Sequence, residues 1–388
     1  MPTTSTLSTR TSAGAVVNLF AYNGLVIGVY AASLAALRER LGLDTSWIAG
    51  LLVAAGVSAI AAMQVGGRLT DRIGARRIAL TCLPLLFTGL LLFGFAGSIP
   101  MLLAGGVLLG LGNGGIDVAM NAIGVQVEAT RPKPIMSFFH GMWSVGNFGG
   151  AALVLLASLV WPATPVQAAV LTASVVGLVS TFVAVRFTPE TAVVDHADTD
   201  GDRTPIPRWV YLLGLMAIAF GLGEGTAMDW SGLHVTEVAG IPAAQGSVAV
   251  TVVAGFMVAI RLLGDALVAR FGRRAVVRFG GGCAAIGYFI TALTTGLPVL
   301  LIGWALVGFG IGMIAPQVYA VAGHAGGGRG LAVVVTFGYA TFLCGPAVIG
   351  FVASVVGLQH TMLLPAVLLA ALPLLARVMP DEKGPTQR

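Results

Sequence analysis

Of the chain's 16 acidic residues, Asp117 and Glu224 sit deep within long apolar runs, and Asp229 lies nearer the end of one. A carboxylate in hydrocarbon costs about 2.5 kcal/mol or more, so such residues mark a proton site, a substrate contact or an internal ion pair. Asn113, Asp117 and Asn121 are spaced four apart, which stacks them on one helix face. A polar stripe on an otherwise apolar helix is expected to face a cavity. The next run has Ser137, His140, Ser144 and Asn147 at spacings of three and four, with Trp143 beside them. If the two runs are antiparallel helices, Asp117 and His140 reach comparable depth, and a carboxylate near an imidazole can pass a proton. The competing reading is a hydrogen bond that ties two helices together, worth about 1 kcal/mol.

Glu224 stands in GLGEGTAMDWSG, residues 221–232. Glycines around a mid-run acid weaken the helix and let freed backbone groups line a wet cavity. The proton-coupling candidates are therefore Asp117, Glu224 and His140. Candidates for a substrate cavity are Asn18, Tyr22, Asn23, Asn113, Asn121, Trp143, Asn147, Asp229, Gln317 and Tyr339. Cys82, Cys283 and Cys344 are far apart and form no C-x-x-C pair, so no metal or cofactor is expected. The chain also shows no nucleophile and base grouped as an enzyme at a membrane surface would need them.

These side chains need apolar helices to hold them. The chain has 388 residues, 57% apolar and 10% charged, with a mean hydropathy of +0.93, the composition of an all-α membrane protein that crosses the bilayer many times. The net charge of +5 does not call for nucleic acid. The basic residues lie in short loops without interleaved aromatics, and the positive-inside rule accounts for them; the expected surroundings are lipid. At about 20 apolar residues per crossing, twelve spans are expected: 13–37, 46–66, 77–97, 99–127, 134–158, 165–187, 208–233, 243–264, 274–295, 297–323, 330–355 and 358–379. Polar residues 1–12 followed by a long apolar run read as the approach to a first span, not a signal peptide. Residues 188–207, TPETAVVDHADTDGDRTPIP, read as a linker between six-helix bundles at 1–187 and 208–388. With both termini cytoplasmic, 18 of the 21 Lys and Arg residues fall in or beside inner segments. Arg38 and Arg40 fall outside, and Arg261 lies within a span toward its inner end. His234 is expected in a loop after the seventh span.

The halves repeat. GGRLTDRIGARR, residues 66–77, aligns with RLLGDALVARFGRR, residues 261–274, at an offset of 198, and the same offset takes Gly110, Gly112 and Gly114 onto Gly308, Gly310 and Gly312. Two parallel halves are expected from it. In the first copy Gly67 and Gly74 allow sharp turns, and Asp71 can accept hydrogen bonds at a helix start. Ala269 replaces the acid in the second copy, where Arg261 and Asp265 can form a substitute pair.

The G-x-L-x-D-R-x-G-x-R-R pattern of residues 67–77 resembles the loop between spans 2 and 3 of the major facilitator superfamily of secondary transporters. Together with the twelve spans, the repeat and the central linker, the resemblance covers essentially the whole chain. It implies a cytoplasmic gate built from Gly67, Asp71, Arg72, Gly74, Arg76 and Arg77, with Arg261, Asp265 and Arg270 in the second copy. Residues 118–151 and 223–232 look like a bacterial inner-membrane subfamily. Its layout is loosely similar to that of sugar/proton symporters, which by analogy points to Asp117 and Asn147. Drug/proton antiporters of the superfamily usually have G-x-x-x-G-P-x-x-G-G in span 5. Here the stretch is GMWSVGNFGG, which contains Asn147 and no proline. The expectation is a monomeric, proton-coupled secondary transporter of a small polar metabolite. The alternative is an efflux antiporter of the same fold.

Overall fold

The structure, a computed structural model, describes residues 9–131, 135–190 and 207–380. The helices in the first part of the chain are α1 (Thr9–Leu41), α2 (Thr45–Ile73), α3 (Ala75–Gly94), α4 (Ile99–Ala129), α5 (Met136–Val160) and α6 (Pro165–Phe187). After them come α7 (Arg208–Val238), α8 (Ser247–Phe271), α9 (Arg273–Leu293), α10 (Leu297–Ile311), α11 (Ile314–Thr361), α12 (Leu363–Ala370) and α13 (Leu372–Leu375). Among the described residues, 11 helical stretches are long and apolar enough to cross a membrane, and a shorter apolar stretch, Leu363–Val378, follows them. The chain therefore has the all-α, twelve-span character expected. Its last span is broken at Ala371, next to Pro373, which has no N–H to continue the helical ladder.

Two boundaries differ from expectation. α7 runs to Val238, so His234 is a fully buried helical residue with its ring 5.4 Å from that of Trp304, not a loop residue. α11 joins the two stretches expected at 297–323 and 330–355, but it is not a straight rod. A Cβ on Gly330 would lie 2.9 Å from the carbonyl oxygen of Ala322. Eight residues of straight helix would separate these positions by about 12 Å, so the chain doubles back there. It reverses again at Gly357, where φ is +82°.

The chain divides into two compact units, one of Met1–Ser33 with Ala54–Thr199, the other of Leu34–Val53 with Asp200–Arg388. Residues 191–206 of the expected linker lie outside the described residues.

Within the first unit α1 and α5 meet at carbonyl contact. Gly24 and Gly28 lie against the carbonyls of Trp143 and Asn147, and Gly146 and Gly150 lie against those of Ala21 and Leu25. Any side chain at these four positions would occupy the partner's backbone, so small residues one turn apart on both helices set their separation.

The repeat reappears as packing. Gly110 abuts the carbonyl of Ala55 and Gly308 that of Val253; Gly112 abuts the amide of Leu86 and Gly310 that of Ala284. Each second pair is the first moved by 198 residues. The turns agree as well. Gly42 and Gly240 have φ of 61° and 65°, and Gly74 and Gly272 have φ of 89° and 79°.

Candidate functional site

In the first unit, Asn23 of α1 joins α4 and α5. The Trp143 indole Nε1 donates to Asn23 Oδ1 at 2.6 Å, and Asn23 Nδ2 donates to Asn113 Oδ1 at 2.8 Å. The indole N–H can only donate, so it fixes the direction of the relay: Asn23 must present its oxygen to Trp143 and its amide nitrogen to Asn113. The far end of the chain is then the Asn113 NH2 group, a donor, on a half-buried residue. One turn further along the same face, Asn121 Nδ2 donates to the Asp117 carbonyl at 2.8 Å and lies 3.4 Å from Asp117 Oδ1. The face predicted from the spacing thus has an amide donor at one end and a carboxylate and amide at the other. It suits a ligand with hydroxyl or carbonyl oxygens.

The remaining candidates of this unit are spread over other faces. Asn18 donates to the Ser180 carbonyl at 3.0 Å, and the Tyr22 hydroxyl lies against Gly177; both therefore face α6. Asn18 and Tyr22 are four apart and share a face, whereas Asn23 is turned about 100° from Tyr22 toward α4 and α5. His140 is exposed, with its ring 5.1 Å from that of Phe20. Asn147 is 3% exposed, and its Nδ2 has no hydrogen-bond partner among the described residues. The side chains of Ser137 and Asp265 lie outside the described residues.

In the second unit, Glu224 is paired. Arg261 Nη2 lies 3.1 Å from Glu224 Oε1, with the two side chains 22% and 18% exposed. Glu224 is near the middle of α7 and Arg261 just past the middle of α8. An ionised pair at that depth is costly unless both members stay together. Around it, the Tyr288 hydroxyl of α9 donates to the Gly223 carbonyl at 2.5 Å, and the Tyr319 ring of α11 packs edge-on to Phe220 at 5.6 Å. Tyr288 thus bonds the residue just before Glu224, and Phe220, on which Tyr319 packs, lies one turn before it.

Asp229, further along α7, borders a small cavity with Thr226, Trp230, Thr341 and Pro346. The cavity has room for about one water, about 20 Å³. Trp230 is 1% exposed and so is a core residue. Tyr339 is exposed, and Gln317, 7% exposed, accepts a hydrogen bond from Arg273 at 2.9 Å. Gln317 thus stands beside the α8–α9 turn.

At the turns themselves, Arg76 donates to the Val185 carbonyl at 2.7 Å and to Glu190 at 2.5 Å, fastening the α2–α3 turn to the end of α6. Arg274, its counterpart in the repeat, donates through Nε and Nη2 to the Met379 carbonyl. Asp71 is half-buried in the last turn of α2 and not ahead of a helix start, while Gly74 precedes α3 with no side-chain cap. Arg72 and Arg77 are exposed, Gly67 is partly buried, and the exposed Arg270 stacks over the Phe271 ring at 5.3 Å.

Sequence reasoning missed Glu128. Its carboxylate accepts from the amides of Ile135 and Met136 at 2.6 and 2.8 Å and so caps the start of α5. It also missed the pairing of Glu224 with Arg261, which lie 37 residues apart on different helices.

The profile of the Major Facilitator Superfamily matches residues 15–325 and 213–388. The chain belongs to the Major Facilitator Superfamily. It is 30% identical over 364 residues to a transporter of Sinorhizobium fredii, covering 93% of this chain and 96% of that one. It is 32% identical over 344 residues to an MFS-type transporter of Yersinia pestis, covering 87% of each. The structure of the fucose:proton symporter of E. coli superposes with a TM-score of 0.63 at 18% identity, over 94% of this chain and 97% of that one. This facilitator is therefore a membrane transporter of a bacterial branch of the superfamily, and the polar clusters above are its candidates for handling cargo.

Proposed function

We propose that this facilitator is a proton-coupled secondary transporter of a small polar metabolite. It works by alternating access as a monomer in the bacterial inner membrane, with both termini cytoplasmic and no nucleic-acid partner. Two six-helix halves, 1–187 and 208–388, joined by a linker at 188–207, make up the carrier. The observation behind the proposal is the Glu224–Arg261 pair in the middle of two membrane-spanning helices. Protonating Glu224 removes the negative charge that faces Arg261, and a change in charge inside the membrane shifts the balance between conformations. The relay of Trp143, Asn23 and Asn113 supplies directional donors for the cargo. Asp117 is a second proton-coupling candidate on the same face as Asn113.

The test is reconstitution of the full chain in proteoliposomes and uptake of a labelled metabolite under an imposed pH gradient. The metabolite comes from a melting screen of sugars, amino acids, organic acids, nucleosides and cationic drugs. A ligand at about 100 times its dissociation constant raises stability by about 2.7 kcal/mol. Gradient-driven accumulation that Glu224→Gln abolishes, while exchange of the metabolite persists, is the expected result. If only amphipathic cations stabilise the protein, the efflux reading takes its place.

A further inference from the structure

We infer that Arg261 forms a site for the anionic group of the cargo, which displaces the Glu224 carboxylate. The inference rests on the transporter reading above and assigns the cargo's chemical class: a small monoanion, such as a carboxylate.

Arg261 lies in the membrane-spanning part of α8, where an arginine is expensive, and a buried ion pair is weak support for stability compared with apolar residues of the same volume. The pair is also incompletely enclosed, with about a fifth of each side chain still open. A planar guanidinium offers a fork of donors that fits a second carboxylate as well as the first. The groups around Glu224 are Arg261 from α8, Tyr288 from α9, which bonds the adjoining Gly223 carbonyl, and Tyr319 from α11, which packs on Phe220 one turn earlier; Asp229 is the next acid along α7. The Tyr288 hydroxyl is occupied by the Gly223 carbonyl. The Tyr319 hydroxyl lies beside Gly338, where a Cβ would fall 3.0 Å from it. One cation and one protonatable acid make up the core of the site.

Charge balance then sets the stoichiometry. In the empty site Glu224 and Arg261 sum to zero. When a proton from solution binds the Glu224 carboxylate and the cargo's carboxylate takes its place on Arg261, the sum is zero again. One proton accompanies one monoanion, and the loaded site has the same charge as the empty one.

The experiment is melting of the purified full chain with matched pairs of probes: glucuronate and glucose, lactate and lactamide, aspartate and asparagine. Each is raised to its solubility limit at mildly acid and mildly alkaline pH. The expected result is stabilisation by a carboxylate and not by its neutral partner, with an apparent dissociation constant that weakens about tenfold per unit rise in pH, the slope of one linked proton. Arg261→Gln should remove the effect and Arg261→Lys should restore part of it. Glu224→Gln should keep the binding and lose the pH slope. The double variant Arg261→Gln with Glu224→Gln removes both charges together and serves if the single arginine variant fails to fold; it should bind no carboxylate. Carboxylate stabilisation that survives loss of Arg261, or the absence of stabilisation by any carboxylate, overturns the assignment. Stabilisation by a neutral probe alone, with pH dependence intact, also overturns it and leaves the proton-coupled transporter reading standing.

Discussion

Trp143 decides the direction of the amide relay, so Asn23 cannot be replaced by a group of similar size without orphaning a donor on one side and an acceptor on the other. Asn23→Leu is expected to lower stability by about 2 kcal/mol, since each buried unpaired group costs about 1–3 kcal/mol and Asn113 can recover some water. Chemical denaturation of the purified protein checks it. The ion pair behaves differently. Glu224→Leu or Arg261→Leu alone leaves one charge uncompensated, at about 2 kcal/mol, less than for a fully enclosed pair because a fifth of each side chain is open. Replacing both residues by leucine should cost far less than the sum, which a double-mutant cycle measures. The spacing of Asn113, Asp117 and Asn121 made one face of α4 legible in the sequence. Asn23, Asn113 and Trp143 come from three helices and Glu224 and Arg261 from two, so no local periodicity linked them. Asn18 and Tyr22 were grouped with Asn23 only because polar residues in one apolar run look alike until the helix is turned.

Helix ends and helix contacts hinge on glycines whose missing Cβ sets the geometry. Gly28→Val would drive a side chain into the Asn147 carbonyl and separate α1 from α5, whereas Gly141→Ala on α5 meets nothing within 4 Å. The first should abolish monodisperse protein in size-exclusion chromatography and the second should leave it unchanged. Gly74 and Gly272 have ψ of 143° and 156° with positive φ, a region open essentially to glycine. Gly74→Ala and Gly272→Ala should each cost about 1–3 kcal/mol, and by similar amounts, as read by thermal melting. Most helices were visible as apolar runs of bilayer length. Their ends were less so. His234 fell outside the expected span, which ends at residue 233, while α7 continues to Val238. Glu128 was unreadable as a cap because its partners, Ile135 and Met136, lie across a turn and not within one helix.

For the whole molecule, the distribution of Lys and Arg predicts an orientation with both termini cytoplasmic, which can be checked in intact cells. After replacement of Cys82, Cys283 and Cys344 by serine, Ala163→Cys should react with a membrane-impermeant maleimide from outside, and Arg131→Cys should react only after permeabilisation. The opposite pattern would invert the topology. The family and the repeat were legible in the sequence because both rest on glycines and charges at fixed offsets. The offset also separates two kinds of change. Gly110 and Gly308, Gly112 and Gly310, and the turn glycines keep equivalent backbone contacts or angles. The charged groups inside the spans have no such counterparts: Glu224 corresponds to Val26, Arg261 to Met63, and Asp117 to Ala315. An internal duplication at an offset of 198 residues accounts for both facts. After the copies fused, a glycine at a backbone crossing could not drift without breaking its own copy, while a charge needed to survive in only one. The ancestral scaffold is therefore still written twice, and the chemistry of each copy once.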